Sequence, residues 1–306
     1  MIFLCPFVLA SLAISAVQAG SYAHDANVIE LTPANFDKVV HGTNYSTIIE
    51  FYAPWCGHCK QLFPKYKKVG KVVSDLAVQV AAVDCDEQQN KQLCSQQRIE
   101  GFPTLMVFRP SKYSHDSPPP KKSSHAGEVY RGAREVKPIV DFLTSRIKNY
   151  VKKIGRPEHI GKFVAQEKTK HKNKVILFTS KSNPSPLIKT VAIDFLETLE
   201  FAFLKVKADE TARINAVLNS DLDFAKSVLV VYDVVNGTYT PLTGELTKES
   251  IEKFLLDSGA KPLEGPLSKR GRYIGDVKEG KASKKASKPK SKAGKNTKSR
   301  AVNDEL

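Results

Sequence analysis

After Cys94 the sequence contains no cysteine, although the 306-residue chain has five in all. Thiol chemistry is therefore confined to the first third, and a disulfide-laced scaffold is excluded for the rest. Acid is missing from 281–300, KASKKASKPKSKAGKNTKSR, which carries nine Lys or Arg, so most of the formal +15 charge belongs to a tail with little to bury. Two readings of that tail stand: a solvated tether, or a strip that docks on acidic partners and is weakened by salt. No long membrane-spanning run is present either. The apolar stretch at 3–17, FLCPFVLASLAISAV, is short for a bilayer, and small residues at Val17 and Ala19 precede Gly20.

That stretch reads as a signal peptide over 1–19. The n-region MIF has no Lys or Arg, which leaves a signal anchor as the rival. Cleavage removes Cys5 and leaves an even four cysteines in an oxidising compartment. The chain closes on AVNDEL, whose Asp-Glu-Leu is that of an endoplasmic-reticulum retrieval signal, with Asn303 where Lys or His is usual. Both ends point to the ER lumen, with the retrieval receptor as a partner. A lumenal protein meets no nucleic acid, so that reading of the basic tail is set aside.

Between the ends, strand and helix patterns alternate. VIELT, STIIEFYA and VQVAAVDC read as strands, and Leu62, Tyr66, Val69, Val73 and Leu76 fall on one helical face after Lys60, with Pro64 expected to kink the helix. TLMVFR and GEVYRG form a hairpin across a long Pro- and Ser-rich loop at 110–126, and VKPIVDFLTSRI closes the unit. After YVKKIGRPEHIG the cycle restarts. NKVILFTS, FAFLKVK and SVLVVYDVVNGTYTPLT read as strands and a hairpin, with helices at SPLIKTVAIDFLETL and at TKESIEKFLLDS, the latter opened by Thr247 and Ser250. FPTLMVF aligns with KSVLVVY, so the second unit reads as a degenerate repeat with Ser227 in place of Pro103. The expected organisation is a signal peptide at 1–19, units at 24–148 and 155–259, and a tail at 260–306.

The stretch IEFYAPWCGHCKQLFPKY places Cys56 and Cys59 three apart where a strand runs into a helix. Their spacing alone suits a disulfide, half of a zinc site or a pair of reagents. The run APWCGHCK with Glu50 behind it, GFPT about forty residues later and the terminal retrieval signal together resemble the protein disulfide isomerase family, most of all its small fungal members with a single catalytic domain. The resemblance is strong over 27–148 and weaker over 155–258. It implies an α/β fold of two thioredoxin-like domains in tandem, the first redox-active and the second not, ahead of a disordered basic tail. The implied activity is formation, reduction and rearrangement of disulfides in unfolded or misoxidised secretory proteins. The redox partner would be an ER thiol oxidase or glutathione, with no cofactor and no metal.

Residue physics supports the same roles. A helix N-terminus stabilises the Cys56 thiolate as attacking sulfur, and Cys59, one turn inside, would resolve trapped mixed disulfides. Gly57 and His58 lie between them, and His58 can favour the dithiol, giving a potential near roughly −180 mV rather than about −270 mV. By the resemblance, Pro103 is a cis-proline that binds extended substrate together with Trp55 and Phe102. Glu50 is a buried proton carrier under Cys59, and Arg134 a mobile arginine that approaches Cys59, although an Arg there can also be merely solvated. The strand position that commonly supplies a Lys partner to the Glu reads Ala82, so Glu50 is expected to stay protonated to higher pH.

Cys85 and Cys94 read as a structural disulfide, and related fungal domains show a similar pair. Zinc on all four cysteines is the rival, though C-x8-C fits no usual half-site. Asn44 and Asn236 head glycosylation sequons, with turn chemistry an equal account of Asn236-Gly237. A different class of function also remains open: a chaperone or adaptor whose second unit recruits a folding factor such as a lectin-type chaperone.

Overall fold

The computed structural model describes residues 22–23, 25–111, 125–165 and 173–262. The expected signal peptide, the middle of the 110–126 loop and nearly all of the basic tail with its retrieval signal lie outside them. No helix among the described residues is long and apolar enough to cross a membrane.

Two five-stranded sheets share one plan. The first comprises β1 (Ile29–Glu30), β2 (Ser46–Tyr52), β3 (Val78–Asp84), β4 (Thr104–Arg109) and β5 (Ala126–Val129), in spatial order β1-β3-β2-β4-β5. The first three are parallel, and β4 and β5 run antiparallel as the hairpin. Strand alternation sorts the side chains. Ile48 and Tyr52 join the core under α1 (Gly57–Val72) and α3 (Val136–Ser145), while Ile49 and Phe51 join the opposite core beside α2 (Lys91–Gln96). By parity Glu50 belongs to the α1 face, at 0 % exposure.

α1 buries Leu62, Tyr66 and Val69, three of the five residues assigned to its apolar face, and carries Pro64 in its interior without ending there. Its last helical residue is Val72, so Val73 caps it and Leu76 lies beyond. The expected helix at PANFDKVV is a single wide turn, Asp37–His41, in which the Gly42 N–H bonds the Asp37 carbonyl five residues back at 3.0 Å.

The second sheet comprises β6 (Lys152–Ile154), β7 (Asn173–Thr179), β8 (Leu199–Lys205), β9 (Val228–Asp233) and β10 (Thr238–Pro241), ordered β10-β9-β7-β8-β6. This is the first sheet strand for strand, with the same parallel and antiparallel pairs. The sheet takes in Lys152–Ile154, three residues ahead of the start expected at 155, because two exposed lysines hide its strand character and only Ile154 is buried. α5 (Pro186–Asp194) and α7 (Lys248–Asp257) cover one face. On the other lie α4 (Ile160–Val164) and α6 (Thr211–Leu218), the latter unread in the sequence although Ile214 and Leu218 mark a buried stripe at i, i+4. The VVNG turn closes as expected, with Gly237 at φ 66° and Asp233 Oδ1 accepting from the Val235 N–H. The units also touch. The Tyr45 hydroxyl donates to Asp194, the Ala77 N–H donates to Thr190 Oγ1 at 2.8 Å, and Ile193 packs into the first core.

Candidate active site

β2 delivers the chain to the start of α1, and Cys56 is that helix's N-cap, with extended backbone (φ −71°, ψ 118°). Its Sγ accepts from the Cys59 N–H at 3.3 Å, doing the work of a capping oxygen for one of the unpaired amides of the first turn. Both thiols are free. Cys56 keeps 9 % of its surface and Cys59 none, so of the pair it is the first residue that retains an opening to solvent. Burial pushes the Cys59 thiol up to about 12, and the hydrogen bond with Cys56 and the Glu50 charge add to that, against a backbone hydrogen bond to Ala53. Cys59 can act as a nucleophile only if a base takes its proton.

Gly57 and His58 are exposed at the helix start. The Phe102–Pro103 bond is cis, and Pro103 is buried at the head of β4. Trp55 is 65 % exposed and meets Phe102 edge to face, centroids 5.9 Å apart, so the residue just ahead of Cys56 puts an indole on the surface against the ring that precedes Pro103. Arg134 donates to the Pro103 carbonyl at 3.0 Å. It is thus tied to the proline loop rather than merely solvated.

Glu50 pairs across the sheet with Ala82 on β3 and Leu105 on β4, as the Ala82 reading requires. Burial raises its carboxyl to about 8, against the pull of a hydrogen bond from Tyr22 and of the Arg134 charge. Tyr22 was missed in the sequence, since it precedes the first strand and the unit was expected to begin at 24. The ring is completely buried and its hydroxyl donates to Glu50 Oε2.

Cys85 and Cys94 are joined, with Cα atoms 5.9 Å apart, in the core on the far face of the sheet from Cys56. No group of three or more His, Cys, Asp or Glu among the described residues is placed to hold a metal. Of the two sequons, Asn236 is exposed but Asn44 retains only 6 % of its surface. Asn44 therefore does not present its amide to solvent as a loop residue would: it leads into the central strand β2 beside the buried Tyr45.

The thioredoxin family model matches residues 27–144. Protein disulfide-isomerase MPD1 of Saccharomyces cerevisiae is 41 % identical over 281 residues, covering 85 % of this chain and 87 % of that protein. Protein disulfide isomerase-like 2-3 of Oryza sativa subsp. japonica is 41 % identical over 141 residues, 46 % of this chain and 28 % of that one. Among solved structures, full-length ERdj5 superposes with a TM-score of 0.45 at 18 % identity, over 76 % of this chain and 32 % of that one. The identity to the yeast protein runs through both units and most of each chain. This chain belongs to the protein disulfide isomerase family, as a thioredoxin-fold oxidoreductase whose second unit has no cysteine.

Proposed function

We propose that the protein is a disulfide isomerase and oxidase of the ER lumen, acting on unfolded or misoxidised secretory proteins through Cys56 and Cys59. The observation that carries this is the unequal pair at the start of α1: Cys56 at the cap and reachable, Cys59 one turn inside and sealed.

The Cys56 thiolate attacks a client disulfide, forming a mixed disulfide and expelling the other client sulfur as thiolate. A second client thiolate can then displace Cys56, which completes rearrangement with no net redox change. Alternatively Cys59, after losing its proton, attacks Cys56 Sγ. The client leaves reduced and the enzyme pair is oxidised; run in reverse, the same steps oxidise a client. Glutathione returns the oxidised pair to the dithiol, and a thiol oxidase returns the reduced pair to the disulfide. In this reading Gly57 and His58 shape the thiolate's surroundings, and Trp55, Phe102 and Pro103 receive an extended client segment beside the sulfurs. Glu50 handles the proton, and Arg134 assists from the segment before α3, where it is bonded to the proline loop. The bridge Cys85–Cys94 is structural. The second unit, from 152 to 259, holds clients or a folding factor such as a lectin-type chaperone. The segment at 3–17 and the Asp304-Glu305-Leu306 end support the lumenal location through export and receptor retrieval, and Asn236 is the sequon that can carry a glycan.

The test is the Cys56→Ser, Cys59→Ser double variant, assayed for recovery of activity by a scrambled client and for suppression of client aggregation. Isomerase activity should fall at least about a thousandfold, because the nucleophile itself is removed. If the variant still restores scrambled clients, the enzyme reading fails; if only aggregation suppression persists, the second unit's holding role is separate from the chemistry.

A further inference from the structure

The residues ahead of β1 supply what the active-site motif leaves open. Glu50 is a buried carboxyl whose sheet neighbours, Ala82 and Leu105, offer it no polar contact through their side chains. Its Oε2 accepts from the Tyr22 hydroxyl, and its Oε1 is buried with no hydrogen-bond partner among the described residues. Tyr22 is itself fixed. Its N–H donates to Glu30 Oε1 at 2.9 Å, and its ring lies edge-on to Tyr52, Phe63 and Tyr66, with centroids 5.5, 5.1 and 5.7 Å away. The only polar group of its side chain is aimed at the carboxyl.

We propose that Tyr22 is a positioning residue for the resolving step: its hydroxyl holds Glu50 Oε2, so that Oε1 is the oxygen that exchanges a proton with Cys59. The proposal rests on the assignment of Cys59 as the resolving thiol. In that step the proton moves from Cys59 Sγ to Oε1, the new thiolate attacks Cys56 Sγ, and the bond between Cys56 and the client sulfur breaks with its electron pair leaving on the client. A hydroxyl that donates to Oε2 leaves the acid proton to Oε1 and stabilises the carboxylate when that proton has gone. Tyr22 is suited to this because burial, and then the Glu50 charge, hold its own ionisation far above the ordinary phenol range.

Among the described residues, the groups of β2 and α1 that interact with the carboxyl are Tyr52, Cys59 and Tyr66, the last with its hydroxyl committed to the Ile48 and Ala81 carbonyls. Arg134 acts from the segment before α3, Glu30 lies behind Tyr22, and Lys67 sits over the Tyr22 ring at 5.7 Å.

The experiment follows release of glutathione from its mixed disulfide with Cys56 in the full-length protein, as a function of pH, for wild type, Tyr22→Phe, Glu50→Gln and the double variant. Removing the hydroxyl should move the rising limb of the profile up by about one pH unit, lower the rate near pH 7 about tenfold, and leave the high-pH plateau in place. Glu50→Gln should abolish that limb, and Tyr22→Phe should add nothing to it. Equal loss at every pH, or a shift that persists in the Glu50→Gln background, overturns the proposal. A second readout does not depend on the variant folding: the carbon-13 ζ resonance of Tyr22 in the wild type should titrate with the same midpoint as the release rate, and a stationary resonance overturns the proposal. Wild-type release with an unmoved Tyr22→Phe profile removes the role of Tyr22 alone. Absence of Cys59-dependent release in the wild type removes the thiol reading as well.

Discussion

The two units set the same backbone to different uses. Matching strands by register puts Leu177 opposite Leu229 as Glu50 is opposite Leu105, and Val228 follows Ser227 as Thr104 follows Pro103. At the helix that follows, Ser185 stands where Cys56 does. Its Oγ accepts from the Ile188 N–H at 3.4 Å, as the sulfur accepts from the Cys59 N–H at 3.3 Å. Each thiol-site residue thus has an inert counterpart: Ser185 for Cys56, Ile188 for Cys59, Leu177 for Glu50. The fold needs a cap and a buried residue three positions on; the chemistry depends on sulfur filling both. Where Ala82 leaves room beside Glu50, the second unit places Phe203 beside Leu177. Buried charge moves to the other face as well. Thr47 and Gln79, paired in register and neutral, correspond to Lys174 and Glu200, an ion pair with 1 % and 7 % of the side chains exposed.

The sharpest way to erase this difference is Glu50→Leu, which gives the first unit the second unit's apolar interior. The folded carboxyl sits at about 8 because of burial, above its ordinary value of 4.5. Between those values the unfolded chain gives up a proton that the folded one keeps. The contribution of Glu50 to stability is therefore fully present below about pH 4.5 and is lost as pH rises through about 8, amounting to as much as about 5 kcal/mol. Urea unfolding at pH 5 and pH 9 should show wild type losing stability over that interval by an increment the variant lacks. Equal pH slopes for the two proteins would mean that the carboxyl is hydrated when the protein is folded.

Lys174→Met tests the converse, whether the second unit depends on its charges. Glu200 is pushed up by burial, and the hydrogen bonds from Lys152 and Lys174 more than offset this, so that it lies below the ordinary carboxylate range. Removing Lys174 takes away the buried cation and leaves the half-exposed Lys152 still paired with the buried carboxylate. The expected loss is about 3–5 kcal/mol in unfolding of the second unit. The rate of thiol exchange at Cys56 should not change. A variant with unaltered unfolding would show that Glu200 is satisfied without Lys174.

Much of this was legible in the sequence, and the omissions share a cause. Short apolar runs marked β2, β3, β4, β7, β8 and β9, because strands buried on both faces are nearly continuous in Val, Ile, Leu and Phe. The spacing of Cys56 and Cys59 left three uses open, and it was the whole run APWCGHCK with Glu50 and GFPT that pointed to thiol exchange. Edge elements were harder. Lys152–Ile154 and the exposed surface of α6 look polar, since one face of each meets solvent. Tyr22 was invisible because its partner is twenty-eight residues away, and no local pattern distinguishes a buried tyrosine ahead of the first strand from an exposed one. The equivalence of Ser185 with Cys56 needed the cap hydrogen bonds, since the link from strand to helix is two residues longer in the second unit and KSNPSPL and APWCGHC share no spacing.

That last equivalence yields the smallest of the expected effects, and it separates capping from catalysis. If the side chain at the start of α5 serves only as a cap, Ser185→Ala should cost about 1 kcal/mol, the usual price of losing a capping oxygen, and leave client exchange untouched. Cys56→Ser in the first unit keeps an acceptor at the equivalent place, so its stability should stay within about 0.5 kcal/mol of wild type while exchange disappears. Thermal unfolding of the two single variants, read beside their exchange rates, makes the comparison. A Cys56→Ser protein destabilised by more than Ser185→Ala would show that the sulfur is held by packing against Cys59 and the proline loop, rather than by the amide it caps.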